Sequence, residues 1–260
     1  MALSKNRIKY IHSLEQKKNR KADKVFLAEG PKLVGDLLGH FPCQFLLATS
    51  EWLSRNRPLS TVTDVTEVSE EELSRASLLK TPQQVLAVFR QPDEETDISV
   101  ISHSLCLALD DVQDPGNLGT IVRLADWFGI EHIFCSPNTV DIYNPKTIRA
   151  TMGSLYRVPF VYMENLEEAV SLLKKSGITT YAAHLKGEKF FHQIRYSGGN
   201  ASLIGNQGNG LKTETAQLAD TYLKIPMEGK LESLNASVAA ALLLYQAAGS
   251  KGRFTLGQEK

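Results

Sequence analysis

Near its C-terminal end the chain carries a helix without a polar side. Residues 225–246 read IPMEGKLESLNASVAAALLLYQ. A strand over 222–225 runs into Pro226, turns at Gly229 and opens a helix near Ser233. Val238, Leu242, Leu243, Leu244 and Tyr245 alternate with Ala236, Ala239, Ala240 and Ala241 around its circumference. A helix apolar on every side is a buried one, and its alanines let a second backbone approach closely, as at a tight helix–helix or subunit contact. Ser233 and Asn235 stand at its N-terminus, where unpaired N–H donors are capped or hold a ligand.

The rest of the chain has the means to bury such a helix. Its 260 residues allow one large domain or two ordinary ones. With 42% hydrophobic and 22% charged residues it has the composition of a globular protein with a sizeable core. No apolar run is long enough to span a bilayer, and MALSKNRIKYIH lacks the apolar stretch of a secretory signal, so the expected location is cytoplasmic. Cys43, Cys106 and Cys135 lie far apart in apolar stretches and read as buried thiols, neither a disulfide framework nor a zinc site. The six histidines are too scattered to suggest a metal. Net charge is zero, yet Lys5, Arg7, Lys9, Lys17, Lys18, Arg20, Lys21 and Lys24 crowd one short stretch against only Glu15 and Asp23. Such a stripe is either a solvated helix face or a footprint for phosphate.

The pattern along the chain is α/β. A helix over 4–20 precedes a strand over 24–28. Pro31 opens a helix carrying Leu33, Val34, Leu37 and Leu38, and strands follow over 44–48 and 85–90. Glu70, Glu71 and Glu72 suit the first turn of a further helix. The polar segment QPDEETDIS (91–99) is the best linker, dividing the chain into domains 1–95 and 96–260. Beyond it strands over 105–109, 132–135, 158–162, 179–183, 202–204 and 222–225 alternate with helices over 118–128, 145–151, 166–175 and 212–219 before the final helix. This alternation implies a mainly parallel sheet covered on both faces, with ligands at the carboxyl ends of its strands.

Three of the loops after strands are dense in Gly, Asn and Pro. In DDVQDPGNLGTIVRLADWFG (110–129), Pro115-Gly116 makes a tight turn and Asn117 reads as the cap of the next helix. Arg123 lies beside the apolar stripe of Ile121, Leu124, Ala125 and Phe128, and needs a carboxylate or phosphate partner. Asp110, Asp111 and Asp114 are the local candidates. LIGNQGNGL (203–211) has glycines that let a backbone approach a ligand, but neither dinucleotide-site spacing nor a phosphate-loop lysine. The third loop is the entry to the final helix.

Taken together, the three stretches resemble the three signature motifs of the SpoU family of RNA ribose 2′-O-methyltransferases, within the knotted SPOUT superfamily. FLAEGPKLVGDLL and TPQQVLAVF are similar to the small ribosomal-protein-like substrate-binding domain that many members carry. The resemblance implies a C-terminal parallel sheet with helices on both faces and a deep trefoil knot at its C-terminal end, plus a small N-terminal α/β substrate-binding domain. It implies S-adenosylmethionine as cofactor, contacted around Gly205, Ile225, Met227, Leu234 and Asn235. It implies a homodimer paired through the knot region, with residues of both chains in the active site.

The implied reaction moves a methyl group to a ribose 2′-hydroxyl of structured RNA, ribosomal RNA favoured over transfer RNA. By similarity Arg123 is the central catalytic residue, with Asn117, Ser233 and Asn235 positioning it and the ribose. Lys17, Lys18, Arg20 and Lys21, with Arg123, are the candidate RNA contacts. The chain departs from the family at Gln207, where Glu is usual; glutamine keeps a carbonyl acceptor of nearly the same shape, so activity is expected to survive. The competing readings are a cofactor-binding but catalytically weak ribosome assembly factor, and a nucleotide- or metabolite-binding protein of another class.

Overall fold

The computed structural model describes residues 3–56, 59, 61–92, 101, 104–230 and 233–252. Most of the linker read from the sequence, and His103, lie outside these. The contacts divide the chain into two compact units, Met1–Glu94 with Asp141–Tyr156, and Glu95–Val140 with Arg157–Lys260. Residues 141–156 thus belong with the N-terminal unit, whereas the boundary drawn from the sequence puts them in the other domain.

The first unit opens with helices α1 (Lys5–Ser13) and α2 (Lys17–Asp23), followed by β1 (Val25–Glu29), α3 (Pro31–Leu37), β2 (Cys43–Ala48), α4 (Ser50–Asn56), β3 (Val65–Glu67), α5 (Glu70–Ala76) and β4 (Val85–Arg90). Its sheet is mixed, in the order β1-β4-β2-β3, with only β2 and β3 parallel. The one helix expected over 4–20 is two. The break leaves the carbonyls of Leu14 and Glu15 without helical partners, and the Arg20 guanidinium donates to both, at 2.7 and 2.8 Å. Arg20 also donates through Nε and Nη2 to Asp141 Oδ2, at 3.1 and 2.5 Å, and is 1% exposed. Burial demands that a charged fork be paired in this way, and four of its five N–H donors are. At α5 the acidic run does occupy a first turn, with Ser69 and Glu72 closing a capping box. Ile11, Leu14, Val25, Leu27, Phe45, Leu47, Leu73, Leu86 and Val88 fill the core on one face of the sheet.

The second unit contains β5 (Leu105–Leu109), α6 (Pro115–Phe128) and β6 (His132–Cys135). The chain then passes through α7 (Pro145–Thr151), which belongs to the first unit, and continues with β7 (Phe160–Tyr162), α8 (Leu166–Lys175), β8 (Thr179–Ala183), the two-residue β9 (Lys189–Phe190), β10 (Asn200–Ile204), α9 (Thr213–Gln217), β11 (Thr221–Lys224) and α10 (Ala236–Ser250). All pairings in its sheet are parallel, in the order β7-β6-β5-β10-β8-β11-β9. The late strand β10 therefore inserts between β5 and β8, bringing the loops after β5 and β10 side by side. Every residue of β5 and β10 is buried, as strands covered on both faces must be. Cys106, Ala108, Phe134, Ala182, Ala201 and Leu203 pack under α8 and α9, while α10 lies on β10 and against α6.

The final helix is not buried all round. Ala236, Ala240, Leu243, Leu244, Ala247 and Ala248 form a buried stripe at helical spacing, but Val238 and Tyr245 are 46% and 59% exposed. On α6, Trp127 is 82% exposed. The chain by itself covers one face of the apolar helix and leaves the other open. Of the cysteines, Cys106 and Cys135 are buried as expected and Cys43 is only half-buried; all are free thiols. Burial pushes Cys43 and Cys106 up to about 12, so neither offers a thiolate near neutral pH. Among the described residues no helix is long and apolar enough to cross a membrane, and no three His, Cys, Asp or Glu side chains gather as a metal ion needs.

Candidate active site

The loops following β5, β10 and β11 are joined by a cluster of side-chain amides. Its direction is set at the start of α10. Asn235 is the cap of that helix, and its Oδ1 accepts from the backbone N–H of Ser237 and Val238, at 3.0 and 3.4 Å, and from Ser237 Oγ at 2.7 Å. Its Nδ2 is thereby turned away from the helix and donates to Asn117 Oδ1 at 3.0 Å and to Gln207 Oε1 at 3.1 Å. Asn117 Nδ2 donates to the same Gln207 oxygen at 3.2 Å. Asn117 is free to do this because it is not the cap of α6. Asp114 is, with Oδ1 accepting from Asn117 N at 2.7 Å, and Pro115 opens the helix. The helix also starts earlier than the apolar pattern indicated, since its first turn is polar.

The glycine-rich loop after β10 is held by backbone. Asn206 and Gly210 exchange N–H···O bonds of 2.9 and 2.8 Å, and Asn206 Oδ1 accepts from Gly208 N at 2.8 Å. At Gly205 a Cβ would lie 2.1 Å from the Gly210 carbonyl carbon, so glycine there is a matter of space. Gly205→Ala is expected to cost about 1–3 kcal/mol, as overpacking does, in denaturant unfolding. Gly208→Ala, whose nearest neighbour is the Asn206 side-chain oxygen at 3.4 Å, should be close to neutral.

A polar buttress stands beneath. Asp110, 1% exposed, accepts from Lys212 N through Oδ2 at 2.9 Å. Lys212 Nζ lies 3.0 Å from Asp111 Oδ1, which also accepts from Ser136 Oγ at 2.8 Å, and Asn206 Nδ2 reaches the Asp111 carbonyl at 2.9 Å. Burial works against ionisation of Asp111, but hydrogen bonds from Lys212, Ser136 and Asn138 outweigh it and hold the carboxyl below the usual carboxylate range. The hydrogen bond to Asp111 holds the Lys212 ammonium above the usual lysine range. The depressed carboxyl contributes stability present above its unfolded pKa and lost as pH falls through the folded one. The raised ammonium contributes stability present below its unfolded pKa and lost as pH rises through the folded one. Lys212→Met should therefore flatten both limbs of the pH dependence of the urea midpoint, with the acid limb the easier to follow.

These bonds decide the question of Arg123. Asp110 and Asp111 are engaged by Lys212 and Asp114 by its capping role, so none pairs with it. Arg123 is exposed, and its guanidinium has no hydrogen bond or ion pair among the described residues. Of the site residues read from the sequence, Asn117, Gln207 and Asn235 are brought together, with Gly205 beside Asn206 of the same loop. Arg123 and Ser233 are exposed and outside the cluster. Ile225 is half-buried after β11, and Met227 and Leu234 are 53% and 45% exposed on the loop that leads to α10. Lys17, Lys18 and Lys21 are exposed on α2 of the first unit. Arg20 is a correction: buried and committed to Asp141 and two carbonyls, it cannot contact RNA. Sequence reading misses Asn206, Ser136 and Lys212, whose roles depend on strand order; Lys212, directly after the glycine-rich loop, is the one with a local cue.

Comparison with known proteins gives the geometry a family. Residues 104–245 match the model of the SpoU rRNA Methylase family and residues 5–87 that of the MRM3-like substrate binding domain. The chain is 33% identical over 243 residues to the 23S rRNA (guanosine(2553)-2′-O)-methyltransferase RlmP of Bacillus subtilis, covering 94% of this chain and 96% of that protein. Among solved structures, an AdoMet-bound rRNA methyltransferase from Sinorhizobium meliloti superposes with a TM-score of 0.85 at 34% identity, covering 95% of each chain. A TrmH-family chain from Porphyromonas gingivalis does so with 0.84 at 36%, covering 95% of this chain and 98% of that one. The chain belongs to the SpoU rRNA Methylase family and is a methyltransferase.

Proposed function

We propose that this chain transfers a methyl group from S-adenosylmethionine to a ribose 2′-hydroxyl of ribosomal RNA. The observation that carries the reading is the amide cluster of Asn117, Gln207 and Asn235, which ties three loops distant in sequence into one site at the carboxyl end of a parallel sheet. Its likeness along nearly the whole chain to an enzyme named for that reaction on 23S rRNA supports it over a catalytically weak assembly factor.

The residues present fit the cofactor. Gly205 sits where the loop folds back too tightly for any side chain, leaving backbone groups to face a ligand. Ile225, Met227 and Leu234 supply apolar walls, and Asn235 a polar edge. Once bound, the cofactor supplies an electrophilic methyl carbon on a sulfonium. The protein's part is to hold the 2′-oxygen in line with that carbon and to stabilise the charge that develops as the hydroxyl proton passes to solvent water. Asn117 and Asn235 are held rigidly enough to orient the ribose, with Ser233 shortly before Asn235 in the chain. Arg123 binds the adjoining phosphate and the developing alkoxide; as a guanidinium it keeps its proton and does not serve as base.

Arg123 lies outside the amide cluster of its own chain, and α6 and α10 expose Trp127, Val238 and Tyr245. We read these together as a homodimer in which each chain lends Arg123 to the other's site, with the last helix threaded in the family's trefoil knot. The N-terminal domain (1–95) binds RNA, with Lys17, Lys18 and Lys21 as phosphate contacts, and the protein acts in the cytoplasm. Replacing the three lysines with glutamine should weaken RNA binding and lower the slope of log affinity against log salt by roughly 0.7–0.9 for each phosphate no longer neutralised. An unchanged slope would remove them from the interface.

The function is tested by methyl transfer from labelled S-adenosylmethionine into ribosomal and transfer RNA of a host lacking the gene. Incorporation into ribosomal RNA is the expected result. Incorporation into transfer RNA alone would overturn the substrate, and none at all would overturn the activity.

A further inference from the structure

We propose that the segment 185–195, LKGEKFFHQIR, holds an unpaired stretch of the RNA substrate, with a nucleobase stacked on the rings of Phe190 and His192 and phosphates on Lys186, Lys189 and Arg195. This rests on the function proposed above and gives the catalytic unit an RNA surface of its own, besides the lysines of the first unit.

The backbone of this segment is pinned along its length. His184 N donates to the Leu223 carbonyl at 2.9 Å, and Gly187 N to the His184 carbonyl at 3.0 Å. A Cβ at Gly187 would lie 2.6 Å from the Leu223 carbonyl carbon, so the turn is pressed against β11. Lys189 and Phe190 then pair with Leu223 and Lys224 as the edge strand β9. Beyond it a single 3₁₀ turn, Phe191–Gln193, is held from α10, where Gln246 Nε2 donates to the carbonyls of His192 and Ile194 at 3.4 and 3.3 Å. Tyr196, 2% exposed, anchors the far end with its ring centroid 4.7 Å from that of Tyr181. Because β9 runs parallel to β11, the two strands end together at the carboxyl edge of the sheet, where the loop leading into α10 begins.

The side chains on this fixed backbone stay largely in water. Leu185 and Phe190 are 64% and 39% exposed, and Lys186, Lys189, His192 and Arg195 are exposed as well. The Phe190 and His192 rings lie parallel, at 7° with centroids 5.7 Å apart, and Phe191 meets the same imidazole at 89°. No hydrogen bond or ion pair engages the charged groups of Lys186, Lys189 and Arg195 among the described residues, and Glu188 is the segment's one acid. In the loop beyond β11 the exposed Glu228 is matched by the exposed Lys230. Cations on an edge strand guard it against pairing with another chain, but rings kept in water do not serve that end. Aromatic faces interleaved with cations suit a single nucleic-acid strand, which offers flat bases to stack and a phosphate at every nucleotide. A duplex keeps its bases stacked on one another, so the occupant is an unpaired stretch.

Phe190→Leu combined with His192→Gln removes both rings and no lysine or arginine. Its affinity for ribosomal RNA from a host lacking the gene should fall roughly 5–150-fold, the range for one base lost from an aromatic platform. The slope of log affinity against log salt should stay as in the wild type. On a fully paired RNA duplex the ring variant should match the wild type, and Phe190→Tyr should match it on both RNAs. Lys186→Gln, Lys189→Gln and Arg195→Gln together should instead lower the slope, by roughly 0.7 for each phosphate released from a single strand. The unfolding midpoint and the affinity for S-adenosylmethionine should not move in either variant. Wild-type RNA affinity in both variants would overturn the proposal. So would cofactor affinity falling in step with RNA affinity, which would give the rings to the cofactor's adenine. A shift to a smaller species in sedimentation would also overturn it, making the patch a contact between chains. The readout is binding, so failure of the proposed activity shows separately, as a wild type that holds the RNA and methylates none.

Discussion

Arg123→Ala should lose methyl transfer by roughly 10²–10³-fold, the range for removing one donor that stabilises developing charge, while its affinity for S-adenosylmethionine stays unchanged. The expectation follows from what surrounds the residue. Arg123 is exposed, with no partner among the described residues, and each aspartate of the preceding loop is otherwise engaged. Truncating it therefore removes nothing on which the fold depends. The residues proposed to face the cofactor lie on other loops. Arg123→Lys should recover only part of the rate, since an ammonium keeps the charge but not the planar fork that grips a phosphate. If calorimetry finds cofactor affinity falling in step with the rate in Arg123→Ala, the residue belongs to the cofactor pocket and the assignment fails.

Arg20→Ala has the opposite character: a large loss of stability from a residue that the sequence places among surface charges. Removing one partner of a buried pair costs about 3–5 kcal/mol, because the other charge is left uncompensated. Here the carbonyls of Leu14 and Glu15 lose their donor as well. Trp52 is 2% exposed in the first unit, and Trp127 is the chain's other tryptophan. In a Trp127→Phe background the fluorescence of Trp52 alone reports the unfolding of that unit. Lys17→Ala and Lys21→Ala, at exposed positions of the same helix, should leave its midpoint in place. Arg20→Met combined with Asp141→Leu should recover most of the loss, since an apolar pair can fill the site without any charge to satisfy.

These two arginines mark the boundary of what sequence makes legible. The central C-terminal strands β5 and β10 are plain because each is a buried apolar run bounded by turns, and helices such as α8 carry apolar residues at a 3.6 spacing, whereas the exposed two-residue β9 carries no such signal. The fold family is legible because its three loops have unusual composition in a fixed order. In the first unit α4 and β3 escape notice, being too short to establish a period. Charge patterning misassigns Arg20, since nothing local shows that a helix break at Leu14 and an aspartate 121 positions away will bury it. In the site Asn117 and Asn235 are visible as polar residues near helix starts. That they meet each other and Gln207 is not, because the insertion of β10 between β5 and β8 is a matter of topology. Arg123 is visible as an arginine needing a partner; which partner it lacks is seen only once the aspartates are found paired elsewhere. The apolar helix reads as buried on every side, but the chain buries only one of its faces and leaves Val238 and Tyr245 exposed.

The most direct measurement is the chemical position of the transferred methyl group. Ribosomal RNA labelled from S-adenosylmethionine by this protein is digested with alkali, which needs a free 2′-hydroxyl to cleave the strand. The label should stay in alkali-resistant dinucleotides, marking a methylated ribose. Label released in mononucleotides would mean a methylated base and would contradict the role assigned to the three loops.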